Sequence, residues 1–197
     1  MTPRKMPPMS RRLIWLAAVI VVVPLFLVVG GVVLVSIGNS ITPAGIIIHH
    51  SGFGDPSSDR MPNANDIDQI HQGRGFKIFY WGRYYHIGYH YVILRDGTVQ
   101  TGRPEHCRGA HAEGYNEYIG ICLVGNFSSK GAQVASQRSF EPTPAQLDAL
   151  VNLTRQLQRQ YNFRPENILR HVDVNHSTEC PGDRFPFEQF LVSLSRQ

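Results

Sequence analysis

An uncharged run of twenty-five residues, Leu13–Ile37, constrains the fold of this chain more than any other feature. A helix of about 20 apolar residues crosses the hydrocarbon core of a bilayer, so this run is long enough to span one. The residues before it include Arg4, Lys5, Arg11 and Arg12 but no acidic side chain. Because basic flanks stay on the cytoplasmic side, the pattern predicts a single-pass membrane anchor with a cytoplasmic N-terminus and an extracytoplasmic remainder.

A cleavable signal peptide is the alternative interpretation of this run. Signal peptides have an apolar core of about 7–15 residues followed by a small-residue cleavage site. The run here is longer, and no clear A-x-A pattern follows it, so an uncleaved anchor is favoured. The chain is accordingly divided into a basic tail (1–12), a transmembrane anchor (13–37), a linker (38–44) and one globular domain (45–197).

The charge distribution argues against a nucleic-acid-binding protein. The formal net charge is +4, but the four basic residues of the tail account for all of it. The remainder has equal numbers of basic and acidic residues, whereas a nucleic-acid-binding domain carries a basic face. We therefore expect no nucleic-acid partner.

Strand and helix patterns alternate along the globular part. "AGIIIHHS" and "YIGICLVGNF" are typical of buried strands, and two short β-like runs flank the hairpin signal Asp96-Gly97. "ANDIDQIHQ" predicts a short helix, and the stretch after Thr143 predicts a long one with a capping box closed by Gln146. The aromatic stretch "GRGFKIFYWGRYYH" is interpreted as a loop. The sequence thus predicts an α/β domain, a central mixed β-sheet flanked by helices, preceded by one transmembrane helix.

The segment "LRHVDVNHSTECPGD" contains residue types that bind zinc. His171 and Cys180 lie nine positions apart, a spacing that suits a loop folding back on itself. A catalytic zinc site needs three protein ligands, and the strand ending in His49 and His50 offers the third. The alternative is that His171 caps or packs and that Cys180 is a small buried side chain. Spacing alone leaves this choice open.

Six motifs in a fixed order resemble one family. They are "IIIHHS", "GYH" with "RDGTV", "GAH..GYN", "IGICLVGNF", the helix after "PT..Q", and "RHVDV" with "T.CPGD". Together they resemble the type-2 N-acetylmuramoyl-L-alanine amidases, zinc amidases related to phage lysis amidases and to animal peptidoglycan recognition proteins. The resemblance covers residues 45–187 and implies the fold of that family.

The resemblance implies one zinc ion held by His49, His171 and Cys180. His50 is the less favoured ligand, because the family pattern places the ligand first in the pair and strand alternation sends the two rings to opposite faces. The family has no ligand at the position of His176, which is interpreted as a loop residue.

The resemblance also assigns roles around the metal. Tyr89 and Thr178 are the expected catalytic residues, as donors to an oxyanion. Thr178 stands where some phage enzymes have Lys, so a positive charge is not transferred. The expected substrate-binding residues are His111, Tyr115, Asn116 and Arg103. Alternatives are a turn stabilised by Asn116 and a merely solvated Arg103.

The implied activity is hydrolysis of the amide between N-acetylmuramic acid and L-alanine in peptidoglycan by a membrane-anchored, extracytoplasmic domain. Two alternatives stay open: a peptidoglycan-binding module without activity, and a zinc hydrolase of the same fold acting on another amide. The presence of Cys180 argues against the first. A disulfide between Cys107 and Cys122 is permitted but not required, and the sequence is silent on oligomeric state.

Overall fold

The computed structural model describes residues 11–53, 61–130 and 141–196, with side chains from residue 25 onward in these ranges. The helices there are α1 (Arg11–Gly38), α2 (Ala64–Gly73), α3 (Pro144–Tyr161), α4 (His171–Val174) and α5 (Phe187–Ser195). The strands are β1 (Ile46–His50), β2 (Ile78–Tyr80), β3 (Arg83–Tyr85), β4 (Tyr91–Ile93), β5 (Val99–Thr101), β6 (Ile119–Leu123) and β7 (Ile168–Arg170). The predicted strands in "IIIHH" and "IGICL" are confirmed.

The main sheet has five strands in the order β5-β4-β6-β1-β7. Strands β4, β6, β1 and β7 run parallel, and β5 joins the edge antiparallel to β4 through the predicted Asp96-Gly97 turn. The sheet is therefore mixed, as the sequence predicts. Because the four parallel strands point the same way, their carboxyl ends meet at one edge, where α/β proteins place their ligands.

Helices cover both faces of this sheet. On one face, α3 and α5 bury the larger apolar core, to which β1 contributes Ile46 and Ile48 and β6 contributes Ile121. On the other face, α2 supplies Ile67 to a smaller cluster that includes Cys122. The side chains of β1 alternate between these faces, so consecutive residues at its carboxyl end point to opposite sides.

The predicted capping box of α3 is present. The Thr143 hydroxyl accepts a hydrogen bond from the backbone nitrogen of Gln146, and the Gln146 side chain accepts one from the backbone of Thr143. The side-chain amide of Gln146 is fully buried and also donates to the carbonyls of Ile93 and Val124, 3.2 and 3.0 Å away. Gln146 therefore both closes the capping box of α3 and connects the helix to the sheet.

The interpretation of the aromatic stretch as a loop was wrong. Strands β2 and β3 form a separate antiparallel hairpin in which Phe79 pairs with Tyr84. Its turn consists of Trp81 and Gly82, with φ values of 45° and 83°. Two consecutive positive φ values are what a tight hairpin turn requires. The pattern was missed because tryptophan is not a usual residue at such a position.

The helix α1 contains the predicted transmembrane anchor. The side chains of residues 13–24 lie outside the described part of the chain, as does the tail up to residue 10. Within the part whose side chains are described, no helix is both long and apolar enough to cross a membrane. The membrane span accordingly stays a prediction.

The segment predicted as a linker, residues 38–44, is attached to the globular domain. The Ile41 nitrogen donates to the carbonyl of His106 at 2.8 Å, and Ala44 donates to Glu117 at 3.1 Å. Just before it, the Ser36 hydroxyl at the end of α1 accepts from the backbone nitrogen of Trp81 at 2.8 Å. The end of α1 is thus held against the β2–β3 hairpin.

Candidate metal centre

Three side chains that bind metals meet at the carboxyl edge of the sheet. His49 lies near the end of β1, and His171 directly follows the neighbouring parallel strand β7. Cys180 comes from the loop after α4. One ligand atom from each of the three lies within 4.8 Å of the others. The structure therefore brings together the three residues that the sequence predicts as ligands.

The loop carrying His171 and Cys180 does fold back, as their spacing predicts. The backbone nitrogen of Val172 donates to the carbonyl of Cys180 at 2.8 Å. The Cys180 nitrogen in turn donates to the Thr178 hydroxyl at 3.2 Å, and the Cys180 sulfur accepts from the backbone nitrogen of His50 at 3.3 Å. These bonds connect Cys180 to the end of β1 and to the start of α4, and so fix the position of its thiol.

The cluster fits a tetrahedral zinc ion. Zinc bonds of about 2.0–2.1 Å to nitrogen and about 2.3 Å to sulfur place the two donor atoms about 3.6 Å apart in a tetrahedron. In the structure the Cys180 Sγ lies 3.7 Å from Nδ1 of His49. The rings of His49 and His171 lie 4.5 Å apart between centroids. The donor set and the distance between these two atoms are compatible with a two-histidine, one-cysteine zinc site.

The protonation of the cluster is also consistent with a cation. Burial, followed by the nearby imidazoles of His111 and His171, holds the pKa of His49 well below its usual value. Burial lowers the pKa of His171 and raises that of the Cys180 thiol to about 12. Two neutral imidazoles have lone pairs to donate, and a bound divalent cation would compensate the thiolate that burial disfavours.

The choice between His49 and His50 follows the alternation of β1. His49 is 1% exposed and faces the cluster. The ring of His50 points to the opposite face, where its Nδ1 accepts from the backbone nitrogen of Phe127 at 3.0 Å. The exposed His176 is not part of the cluster. Both placements agree with the interpretation from sequence.

The expected catalytic residues border the cluster. The Tyr89 ring lies 5.1 Å from that of His49 between centroids. Burial raises the pKa of Tyr89 well above its ordinary value, so its hydroxyl keeps its proton at neutral pH. Thr178 is half-buried, and because its hydroxyl oxygen already accepts from Cys180, its own hydrogen is available for donation.

The predicted substrate-binding residues differ in what their side chains contact. Asn116 accepts hydrogen bonds from the backbone nitrogens of His111 and Ala112, at 2.9 and 3.1 Å, so it stabilises the turn. Tyr115 packs on the ring of Tyr118, 5.6 Å away between centroids. The half-buried His111 does reach the cluster: its Nδ1 lies 3.1 Å from Nε2 of His49.

Arg103 occupies a structural position. It is only 3% exposed, and its guanidinium donates to the backbone carbonyls of Ile87 and Arg108 at 2.5 and 2.6 Å. A side chain that is buried and directed at backbone carbonyls is not presented to a substrate carboxylate. The expectation of a substrate contact for Arg103 is therefore replaced by a role in holding two loops together.

The three cysteines of the chain all lie in its described part, and each is a buried free thiol. Cys122 lies on β6 opposite His49 in the register, and its thiol lies beside the Tyr89 side chain. Cys107 is buried near Arg103, with its thiol pKa raised to about 11 mainly by burial. The disulfide left open by the sequence is absent, and Cys122 packs in the strand as favoured.

Comparison with known proteins identifies the class. The model of the N-acetylmuramoyl-L-alanine amidase family matches residues 39–183, which is most of the chain. Together with the fold and the two-histidine, one-cysteine cluster, this match shows that the chain belongs to that family. The resemblance drawn from the six motifs is confirmed.

Individual relatives include phage endolysins and an animal peptidoglycan-recognition protein, the two groups named by the resemblance. The endolysin of Enterobacteria phage T3 is 43% identical over 98 residues, which cover 49% of this chain and 59% of the phage protein. Peptidoglycan-recognition protein LB of Drosophila melanogaster is 33% identical over 145 residues, covering 71% of this chain and 54% of that protein. The chain thus spans less than two thirds of the length of these relatives.

Solved structures agree with the fold. An endolysin N-acetylmuramoyl-L-alanine amidase from Clostridium intestinale has a TM-score of 0.61 at 35% identity, with 80% of this chain and 86% of that chain covered. Drosophila peptidoglycan recognition protein LB has a TM-score of 0.55 at 29% identity, with coverages of 80% and 83%.

Proposed function

We propose that the chain is a zinc-dependent N-acetylmuramoyl-L-alanine amidase that cleaves the amide between N-acetylmuramic acid and L-alanine in peptidoglycan. The observation that carries this proposal is the convergence of His49, His171 and Cys180 donor atoms within 4.8 Å at the carboxyl edge of the sheet. Membership of the amidase family gives the reaction class.

The metal-binding residues and the neighbouring hydroxyl groups have different roles in the proposed reaction. A zinc ion held by this donor set supplies Lewis-acid chemistry, polarising a carbonyl and making water more acidic. The residues that would hold the ion are His49, His171 and Cys180, and three protein ligands are the number typical of catalytic zinc sites. The Tyr89 ring lies beside His49, and the Thr178 hydroxyl lies beside Cys180, where it accepts from the Cys180 backbone nitrogen. Either hydroxyl is suited to donate a hydrogen bond to the oxygen that becomes negative as the amide is attacked.

A muropeptide substrate is supported by the relatives. One solved relative is a Drosophila peptidoglycan recognition protein LB variant in complex with tracheal cytotoxin, with a TM-score of 0.54 at 30% identity. Several phage endolysins are also among the relatives of this chain. We propose that this chain accepts the same class of substrate, a glycan-linked stem peptide.

The activity is tested by digesting purified peptidoglycan with the wild type and with Cys180→Ala. Mass spectrometry of the soluble products should find stem peptides that begin with a free L-alanine amino group. These products should be made by the wild type alone and should disappear with a zinc chelator. Release of disaccharides without free stem peptides would indicate a different bond and refute the amidase assignment.

The alternative of a binding module without activity makes a different prediction. A zinc-loaded, folded wild type would then bind to peptidoglycan sacculi in a sedimentation assay but release no peptide from them. Short synthetic amides unrelated to muropeptides, tested in the same assay, address the second alternative of another amide substrate. Cleavage of these in preference to muropeptides would move the proposal to that class.

We also propose that residues 13–37 anchor the domain in the membrane with the N-terminus in the cytoplasm and the amidase domain outside. The uncharged run and the basic tail support this orientation. The exposed apolar side chains of the described part of α1, such as Phe26 at 73% exposure, are consistent with it. Extraction tests it: an anchored protein stays in the membrane fraction at alkaline pH, whereas a cleaved or peripheral one is released.

A further inference from the structure

A third histidine, His111, lies against the candidate metal-binding cluster. The His111 ring contacts His49 edge-on, with ring centroids 5.0 Å apart and an interplanar angle of 81°. Its Nδ1 lies 3.1 Å from Nε2 of His49, the nitrogen of His49 that faces away from Cys180. The other nitrogen of His111 lies 3.0 Å from the backbone carbonyl of Tyr118. His111 therefore links a candidate metal ligand to the main chain.

His49, His111 and the Tyr118 carbonyl form a chain of two hydrogen bonds, which we call the relay. The direction of both bonds follows from the Tyr118 carbonyl at its end. A carbonyl oxygen only accepts, so the Nε2 of His111 carries the hydrogen in the Tyr118 bond. An imidazole with its hydrogen on Nε2 has a lone pair on Nδ1, the atom that lies 3.1 Å from Nε2 of His49. That lone pair accepts from Nε2 of His49. The remaining nitrogen of His49, Nδ1, is then unprotonated and lies 3.7 Å from the Cys180 sulfur.

The His111 ring has little freedom to leave this position. A Cβ atom added to Gly109 would lie 2.5 Å from its Cδ2, and one added to Gly120 would lie 2.6 Å from the same atom. The ring therefore fills the space that two glycines leave open on either side. The backbone of residues 111 and 112 is held by the side chain of Asn116.

We propose that His111 is a positioning residue that locks His49 in the tautomer protonated at Nε2 and so presents an unprotonated Nδ1 to the metal. This inference rests on the proposed metal centre and replaces the substrate contact expected for His111. A histidine ligand requires a partner for its second nitrogen, because that partner decides which nitrogen carries the proton. Here the partner is another neutral ring, whose own orientation is set by the Tyr118 carbonyl.

Removing His111 has a defined chemical consequence. In His111→Leu the Nε2 hydrogen of His49 loses its acceptor inside a buried site. His49 then shifts toward the tautomer protonated at Nδ1, the nitrogen that has to bind the metal. Loss of such a supporting partner typically lowers metal affinity about 10–100-fold. In His111→Asn, by contrast, the side-chain oxygen occupies the position of Nδ1 and again accepts from His49.

The first test needs neither a variant nor bound zinc. Long-range proton–nitrogen NMR spectra of the zinc-free wild type report which nitrogen of each neutral histidine carries the hydrogen. We expect Nε2 to be protonated in both His49 and His111. A His49 ring protonated at Nδ1, or a His111 ring protonated at Nδ1, would overturn the proposal whether or not the protein proves to be an amidase.

The second test measures zinc affinity by competition with a chromogenic chelator. We expect His111→Leu to weaken zinc binding 10–100-fold and His111→Asn to restore most of the loss. His106→Leu is the matched control, since His106 is exposed and contacts Tyr161 and the Ile41 carbonyl instead of the cluster, and it should leave the affinity unchanged. Circular dichroism confirms that each variant is folded; if His111→Leu is not, the Asn variant and the NMR spectra decide.

Two outcomes oppose the proposal and identify its rival. If His111 contacts substrate instead, His111→Leu raises KM for muropeptides while zinc affinity stays within twofold of the wild type. If the wild type binds no zinc at all, the proposed function fails, yet the NMR tautomers still confirm or refute the relay on its own terms.

Discussion

Replacing Gly120 by alanine tests the packing around the relay. Gly120 lies in β6, paired with Ile47 of β1, and is buried. An added Cβ would lie 2.6, 2.7 and 2.8 Å from the Cδ2, Cγ and Nε2 atoms of His111. Ordinary contacts of this kind are 3.4–4 Å, so the ring has to move by most of an ångström. It cannot do so while keeping hydrogen bonds of 3.1 and 3.0 Å at its two ends.

The expected loss of stability follows from that overlap. Overpacking a buried site by one methyl group costs about 1–3 kcal/mol, and a broken hydrogen bond of the relay adds about 1 kcal/mol. In a domain of this size each kcal/mol lowers Tm by about 2–4 °C. Thermal and urea unfolding of the zinc-free protein measure the effect without interference from metal binding. Zinc affinity should fall in the same variant, since the displaced ring no longer positions His49.

The matched control is Gly73→Ala at the end of α2, where an added Cβ meets nothing within 4 Å. It should be neutral or stabilising by up to about 1 kcal/mol. A double-mutant cycle sharpens the test: in a His111→Asn background, the smaller side chain should relieve part of the cost of Gly120→Ala. Full stability of Gly120→Ala, or strict additivity with His111→Asn, would refute the reasoning.

Three further predictions concern the rest of the molecule. Gln146→Leu should destabilise the fold by about 1–3 kcal/mol, because two buried carbonyls lose their donor, whereas exposed Gln156→Leu on the same helix should change urea unfolding little. Cys180→Ser should reduce bound zinc measured by mass spectrometry and abolish the Tm increase that zinc gives the wild type; an undiminished increase would contradict the ligand assignment. Burial lowers the pKa values of His71 and His90 to about 4, so their contribution to stability is present above pH 6.5 and is lost as the pH falls toward 4. The free energy of unfolding should therefore decrease by about 1.4 kcal/mol per pH unit for each of them, and a flat profile from pH 6.5 to 4.5 would exclude this.

Much of the fold is readable from sequence where one local pattern suffices. The β-branched run ending in His49 and the capping box at Thr143 each determine their element through a few neighbouring residues. The ligand set came from a resemblance and not from spacing, which left His171 and Cys180 open to a packing role. In the structure, the bond from Val172 to Cys180 folds the loop back and brings the side chains of His171 and Cys180 into one cluster with His49.

Contacts between distant segments were not readable in this way. Nothing in "GAHAEGYN" indicates that His111 faces the candidate ligand His49, since the contact spans sixty-two positions. Arg103 looks like any exposed arginine in a polar loop, and only the fold buries it against two carbonyls. The hairpin at Trp81 was missed for the opposite reason, because its turn uses a residue that propensity disfavours.

The strand β6 explains why the site forms at this place in the sheet. In sequence "IGICL" is uniformly apolar, but in the fold its residues alternate in size between the two faces. Ile119, Ile121 and Leu123 pack into the large core with α3 and α5, while Gly120 and Cys122 face the side of His49. The small residues leave room for two rings on that side: His111 occupies the space over Gly120, and Tyr89 lies against Cys122. A larger residue at either position would displace a ring that contacts His49, so the size pattern of one buried strand shapes the surroundings of the candidate metal ligand.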